Sequence, residues 1–187
     1  MPAESPSDFR REGERYAEAV TVFDLRNVRV RYGEEHREAI DVTIAPIELG
    51  GERYISVPEE VPAELAVTRA STGWVFELRF SVRLHGVCVR CLGDAVVEET
   101  LALREYHATS PESDELTMPY LVDDRLDLSA WARDSLILAL PDKILCRPDC
   151  AGLCPVCGKD LNTDPHLHED DEVNPRWAAL EGLRDEL

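Results

Sequence analysis

The alternation of apolar and polar positions is most regular between residues 74 and 85. Phe76, Leu78, Phe80, Val82 and Leu84 fall on one face of an extended chain, and Glu77, Arg79, Ser81, Arg83 and His85 on the other. Repetition at period two over this length predicts a half-buried strand. A strand starting near Leu65 and Val67 precedes it, separated by the turn Ser71-Thr72-Gly73. After a turn at 86–93 the alternation resumes over 95–106, with Val97, Leu101 and Leu103 inward. The three together predict an antiparallel meander with Cys88 and Cys91 at one tip.

The flanks are less regular. Residues 1–15 are polar, contain Pro2 and Pro6, and predict a loose arm. β-branched residues over 19–30 suggest one or two strands; 32–39 is charged and turn-like; 40–44 alternates again. Gly50-Gly51 marks a turn, and 53–57 reads as a short edge strand closed by Pro58. Nine acids between residues 98 and 127 face two arginines, and Pro111 and Pro119 interrupt the stretch, so 107–127 predicts an exposed acidic loop. Ser129 then caps a helix over 130–140 that Pro141 stops, with Ala132, Leu136, Ala139 and Leu140 as its apolar stripe. Packed across the sheet, this helix makes the fold α+β. Residues 174–183 predict a short amphipathic helix that docks through Trp177, Leu180 and Leu183. The organisation expected is an arm (1–15), an α+β body (16–141) and a cysteine-rich segment with an acidic loop and docking helix (142–187).

That last segment changes the picture. Cys146, Cys150, Cys154 and Cys157 sit within twelve positions, and Cys154-Pro155-Val156-Cys157-Gly158 has the form of a zinc knuckle. A C-x2-C turn lets two thiolates reach one ion at about 2.3 Å, and Gly158 suits the sharp bend that follows. Cys88-Val89-Arg90-Cys91-Leu92-Gly93 echoes it. With His166 and His168 there are eight candidate ligands, enough for two closed four-ligand sites. One partition joins Cys88 and Cys91 to Cys146 and Cys150, leaving Cys154, Cys157, His166 and His168 for a second ion. The rival puts Cys146, Cys150, Cys154 and Cys157 on one ion and leaves Cys88 and Cys91 as a separate dithiol. The first is preferred, because ligand pairs distant in sequence let structural zinc, one ion or two, stabilise the fold directly.

Charge and composition narrow the classes further. A chain of 187 residues that is 44 % hydrophobic can bury a core without needing metal merely because it is small. Its net charge of −18, from 38 acidic and 20 basic residues, opposes broad binding to phosphate backbones and favours a basic protein partner. The N-terminus has no secretory pattern and no apolar run reaches membrane-spanning length, so six cysteines are expected as thiolates in a reducing cytoplasm. Closed ligand sets, and the lack of H-E-x-x-H, P-loop, G-x-G-x-x-G or G-x-S-x-G patterns, argue against an enzyme and against a small-molecule substrate. A zinc-ribbon-like adaptor, or a thiol redox or metal sensor built on Cys88 and Cys91, are the alternatives.

Three stretches carry a family resemblance: Cys88-Val89-Arg90-Cys91-Leu92; Leu126-Asp127-Leu128 with Leu138-Ala139-Leu140-Pro141; and Cys150-Ala151-Gly152-Leu153-Cys154-Pro155-Val156-Cys157-Gly158-Lys159-Asp160-Leu161-Asn162. Together with Asn174-Pro175-Arg176-Trp177-Ala178-Ala179-Leu180 they resemble, in order, the YceD family of large ribosomal RNA subunit accumulation proteins. Similar members usually carry a second cysteine pair where this chain has His166-Leu167-His168, and histidine can replace cysteine at zinc. The resemblance implies a non-enzymatic role in accumulation or processing of 23S ribosomal RNA and in large-subunit biogenesis. Two routes to the large-subunit precursor fit the residues. One is direct RNA contact through Arg79, Arg83, His85 and Arg90; the other is capture of a basic ribosomal protein by the acidic stretches 98–127 and 164–172.

Overall fold

The computed structural model describes residues 20–110 and 116–168. The arm expected at 1–15, the acidic run 169–172 and the docking helix expected at 174–183 lie outside the described residues. Within them, nine strands precede one α-helix, with a 3-10 turn at Leu25–Asn27: β1 (Val22–Asp24), β2 (Glu35–Thr43), β3 (Ile47–Leu49), β4 (Glu52–Ser56), β5 (Glu60–Arg69), β6 (Gly73–Val87), β7 (Asp94–Ala108), β8 (Leu121–Val122), β9 (Arg125–Asp127) and α1 (Leu128–Ala139). All strand pairings are antiparallel.

β6 is the spine. β7 pairs with it along its whole length, from Gly73 opposite Ala108 to Val87 opposite Asp94. β5 and β4 share its other edge end to end, β5 against residues 74–80 and β4 against Leu84 and His85. β2 continues the sheet beyond β5 and β3 beyond β4, while β1, β9 and β8 form a separate small sheet. Phe76, Leu78, Phe80, Val82 and Leu84 are all buried, as their alternation predicts. Each contributes roughly 1.5–3 kcal/mol of apolar burial. α1 lies against β1, β2 and β7. It inserts Trp131, 1 % exposed, with Leu128, Ala132 and Leu136.

Five local expectations are corrected. The helix begins at Leu128 and its N-cap is Asp127, whose carboxylate accepts the Ala130 N–H at 2.9 Å. A carboxylate two positions before the expected Ser129 is a good cap and also favours the positive end of the helix dipole. Ser129 instead accepts the Thr21 N–H at 2.9 Å, tying the start of β1 to the helix. The buried stripe is led by Trp131, and Ala139 is exposed.

The charged stretch 32–39 is no turn from Glu35 onward. β2 starts there and is an edge strand, so exposed charges such as Arg37, paired with Glu64 at 2.6 Å, sit on it without cost. Arg53 to Ser56 is interior to the sheet, between β3 and β6. The region 107–127 is more than an acidic loop, because it holds the β8–β9 hairpin. Asp123 and Asp124 form its turn with φ of 50° and 62°, the conformation a two-residue hairpin turn demands. That hairpin buries Leu126 and sits beside buried Met118.

Candidate metal centres

The β6–β7 turn is a knuckle. Leu92 N–H donates to the Cys88 carbonyl at 2.9 Å, Cys88 N–H donates to the Gly93 carbonyl at 2.7 Å, and Leu92 has φ of 58°. The turn at 154–159 repeats this atom for atom. Gly158 N–H donates to Cys154 at 2.8 Å, Cys154 N–H donates to Lys159 at 2.8 Å, and Gly158 has φ of 72°. The echo in sequence is thus a repeat in backbone geometry. Both turns aim their N–H groups inward, at the first cysteine sulfur.

Each knuckle is completed by a second ligand pair. Cys88, Cys91, Cys146 and Cys150 bring their sulfurs together, as Cys154, Cys157, His166 and His168 bring together sulfurs and ring nitrogens; within each group the ligand atoms lie within 4.8 Å of one another. The side chains are grouped as in the first of the two partitions rather than its rival. All six cysteines are free. Cys88 Sγ and Cys150 Sγ are 3.7 Å apart, and Cys91 Sγ and Cys146 Sγ 3.6 Å. A tetrahedral ion with metal–sulfur bonds of about 2.3 Å separates its thiolates by about 3.8 Å, so the first group fits one.

The second group fits in another way. The Nδ1 of His166 lies 2.7 Å from the Asp164 carbonyl, which can only accept, so that nitrogen is the donor. Nε2 is then left with its lone pair, 3.1 Å from Cys157 Sγ. Ligating histidines commonly have their other nitrogen held in this manner. The His166 and His168 rings meet edge to face at 4.9 Å.

Electrostatics separates the thiols. Burial opposes ionisation of Cys88, yet the N–H groups of Cys91, Cys146 and Arg90 outweigh it and bring its pKa down to about 6. Cys154 is brought down to about 6, chiefly by the Cys157 N–H, with Val156 and His166 helping. Cys146, by contrast, is pushed up to about 12, by burial first and then by the neighbouring sulfurs. Without an ion, each cluster therefore carries thiolate at neutral pH, and the first cannot ionise fully. A cation would relieve the repulsion and displace the remaining protons.

The first group is wired into the core. Tyr54, fully buried, donates its hydroxyl to the Val87 carbonyl at 2.8 Å just ahead of Cys88. Its ring packs so tightly over Gly86 that a Cβ there would lie 2.3 Å away. Val89 N–H donates to the carbonyl of buried Ile144 at 3.1 Å. Asn162, quoted above only as part of a motif, turns out to be the link between the two groups. Its amide nitrogen reaches Cys150 Sγ at 3.5 Å, and its oxygen accepts from Arg147 and from the Ala151 N–H, both at 2.8 Å. Asp160 holds the same amide at 2.6 Å. The signal for it was an amide just beyond a knuckle, which spacing alone does not distinguish from a turn residue.

The four residues considered for RNA contact are not gathered. Arg79 and Arg83 are exposed on the outer face of β6, but Arg79 pairs with Glu77 at 3.5 Å and the Arg83 Nε donates to Glu98 at 2.7 Å. His85 is half-buried, and its Nε2 is buried with no hydrogen-bond partner among the described residues. Arg90 departs from the row altogether. Its guanidinium donates to the Cys150 carbonyl at 2.9 Å, and its own carbonyl accepts from Leu153 N–H at 3.1 Å. Gly152, with φ of 79°, sits against that carbonyl, where a Cβ would be 3.2 Å away. Arg90 is thus a brace beneath the first cysteine group. No helix among the described residues is long and apolar enough to cross a membrane.

Comparison with known proteins gives the following. A family model described as large ribosomal RNA subunit accumulation protein YceD matches residues 76–184. The uncharacterized protein Rv2926c of Mycobacterium tuberculosis is 36 % identical over 123 residues, 63 % of this chain and 58 % of its own length. ML1660 of Mycobacterium leprae, also uncharacterized, is 35 % identical over 98 residues, covering 50 % of this chain and 45 % of the relative. The uncharacterized protein YlbN of Bacillus subtilis is 26 % identical over 113 residues, 58 % of this chain and 64 % of its own. The matches thus span about 58 % of the length of the most similar mycobacterial relatives named. No solved structure gives a significant match.

Proposed function

The chain belongs to the YceD family, whose description is large ribosomal RNA subunit accumulation protein, and from that premise we propose that it supports 23S ribosomal RNA accumulation and large-subunit assembly without being an enzyme. The family match over residues 76–184 is the single observation that carries this reading, because it covers both knuckles and the helix between them. The body is a zinc-tied α+β scaffold acting in the cytoplasm. Zinc is the ion of choice for four thiolates, or for two thiolates and two imidazoles, in a closed tetrahedral set. Cys88, Cys91, Cys146 and Cys150 hold one ion, and Cys154, Cys157, His166 and His168 the other. With all four positions of each ion taken by protein, neither has room to activate water or a substrate, which supports a structural role.

The domain layout follows from this: the body ends near residue 141, and the segment 142–168 is tied to it by metal. The partner is the large-subunit precursor. The test is depletion of the protein in its host, followed by quantification of 23S ribosomal RNA and of 50S particles, together with sedimentation of the tagged protein. Loss of 23S ribosomal RNA and co-migration with large-subunit precursors are expected. Unchanged levels with no co-migration would favour an adaptor outside ribosome assembly. Capture of a basic ribosomal protein is a second reading of the contact, favoured by the net charge of −18.

A further inference from the structure

At the end of β6 remote from the cysteines, a different chemistry is assembled. The Arg69 guanidinium lies 4.4 Å from the centroid of the Trp74 ring and 5.7 Å from that of Tyr32. Both distances are within the range of a cation–π contact. Tyr32 is 72 % exposed, so it presents ring surface to solvent. A shallow cavity of about 360 Å³ is lined by Tyr32, Arg69, Ser71, Thr72, Thr109 and Ser110. Five of those six residues offer hydroxyls and one a guanidinium. None is a carboxylate.

The setting differs from that of the outer face of the sheet. Across the outer face of the sheet Arg37, Arg79, Arg83 and Arg104 each pair with a glutamate. Arg69 has no ion pair and no side-chain hydrogen bond among the described residues; only its ring contacts hold it. Its backbone is fixed in turn, donating to the Glu34 carbonyl at 3.2 Å and accepting from Gly33 N–H at 2.8 Å, which clamps the 31–34 turn carrying Tyr32 to the end of β5. Glu34 turns its carboxylate to the Arg31 N–H at 2.8 Å. On the other rim Thr72 and Tyr106 share a hydroxyl hydrogen bond of 2.8 Å.

A guanidinium stacked on an aromatic ring keeps its N–H edge free for a phosphate, and an exposed ring beside it offers a platform for a base. We propose that the Tyr32–Arg69–Trp74 cluster is a contact site for single-stranded RNA, a phosphate resting on Arg69 and the surrounding hydroxyls and a base stacking on Tyr32. The inference rests on the ribosomal reading above and moves the RNA contact from the paired arginines of β6 to this unpaired one. The two poles of β6 then divide the work: metal holds one end, and the other, roughly 45–50 Å away, meets nucleic acid. A −18 chain can do this only over a short footprint, so binding is expected to be weak and salt-sensitive.

The test is fluorescence anisotropy of a labelled single-stranded RNA of about twelve nucleotides with the full metal-loaded chain, at low and moderate salt. Tyr32→Ala and Arg69→Ala are each expected to weaken binding about tenfold, and Arg69→Lys less. Arg79→Glu with Arg83→Glu is expected to leave affinity nearly unchanged. Tyr32 is exposed, so its substitution keeps the test valid if Arg69→Ala fails to fold, which metal content and thermal melting would reveal. Wild-type affinity in both Tyr32→Ala and Arg69→Ala, or no RNA binding by the wild type, would overturn the proposal. If the wild type binds no RNA yet still sediments with large-subunit precursors, the site is wrong, the ribosomal reading stands and a basic protein is the contact. Failure to sediment counts against that reading on its own, separately from the anisotropy.

Discussion

The two knuckles share a backbone design and differ in what surrounds them. Each closes its turn with the same two hydrogen bonds and a positive-φ residue at the same position. The first opens from a fifteen-residue strand pair and has Cys88 at 0 % and Cys150 at 1 % exposure, with Tyr54 and Ile144 of the core bonded to its frame. The second hangs on a short hairpin closed by a bridge between Leu153 and Asp160, and exposes Cys157 and His168. A metal ion in the first joins parts of the chain about sixty residues apart; in the second it joins neighbours. Loop-closure entropy and burial both say that the same chemistry stabilises the first site far more.

Cys88→Ser is the strongest way to test that asymmetry. It strands three thiols around a buried hydroxyl, so the first ion is lost and stability falls by on the order of 4 kcal/mol. Elemental analysis and thermal melting read the two effects, and full metal content would break the assignment. Cys157→Ser removes the other ion while the sheet keeps its melting temperature within a few degrees. Equal destabilisation by the two changes would show that the second knuckle is as integral as the first.

Acid separates the sites by order of release. The His166 pKa is raised, first by the Asp164 carbonyl and then by Cys154, so a proton competes with metal there at a higher pH than for an ordinary histidine. Cys154 and Cys88, both depressed to about 6, stand ready as thiolates above that pH and take up competing protons as pH falls through 6. Two-step release is expected on acidification, the exposed ion leaving first, as followed with a chromophoric chelator. Single-step release would mean the sites are coupled. Asn162→Ala probes such coupling, since it removes the amide against Cys150 from the second hairpin. A 10- to 100-fold loss of first-site affinity is about the effect of a lost supporting contact.

How much of this was legible in the chain depended on whether a signal was local. Period-two alternation located β6 and β7 because each of their residues reports its own face. The cysteine spacings exposed the knuckles because a C-x2-C turn is a self-contained geometry. What sequence reading lost was decided by partners elsewhere. Arg90 looked like a surface arginine until Cys150 lay beside it, and Ser129 looked like a cap until Thr21 claimed its hydroxyl. The Asp123-Asp124 turn was hidden inside an acidic stretch whose composition resembles a loop. Trp131 was passed over beside the smaller apolar residues of its helix, though it is among the largest buried side chains.

The smallest effect bears on the positive-φ position, where the two turns carry different residues. Leu92 takes a left-handed conformation that Gly158 takes without a Cβ, and a non-glycine residue there bears roughly 1–2 kcal/mol of strain. Leu92 is 58 % exposed, so little packing offsets it, and glycine would return part of the gain through the greater freedom of the unfolded chain. Leu92→Gly is therefore expected to raise stability by less than about 1 kcal/mol, whereas Gly158→Leu loses about that much. No atom lies within 4 Å of a Cβ at Gly158, so any loss there is backbone strain alone. If Leu92→Gly lowers the melting temperature instead, the leucine side chain is held by a contact that its exposure conceals, and the first knuckle owes part of its rigidity to more than its core and its metal.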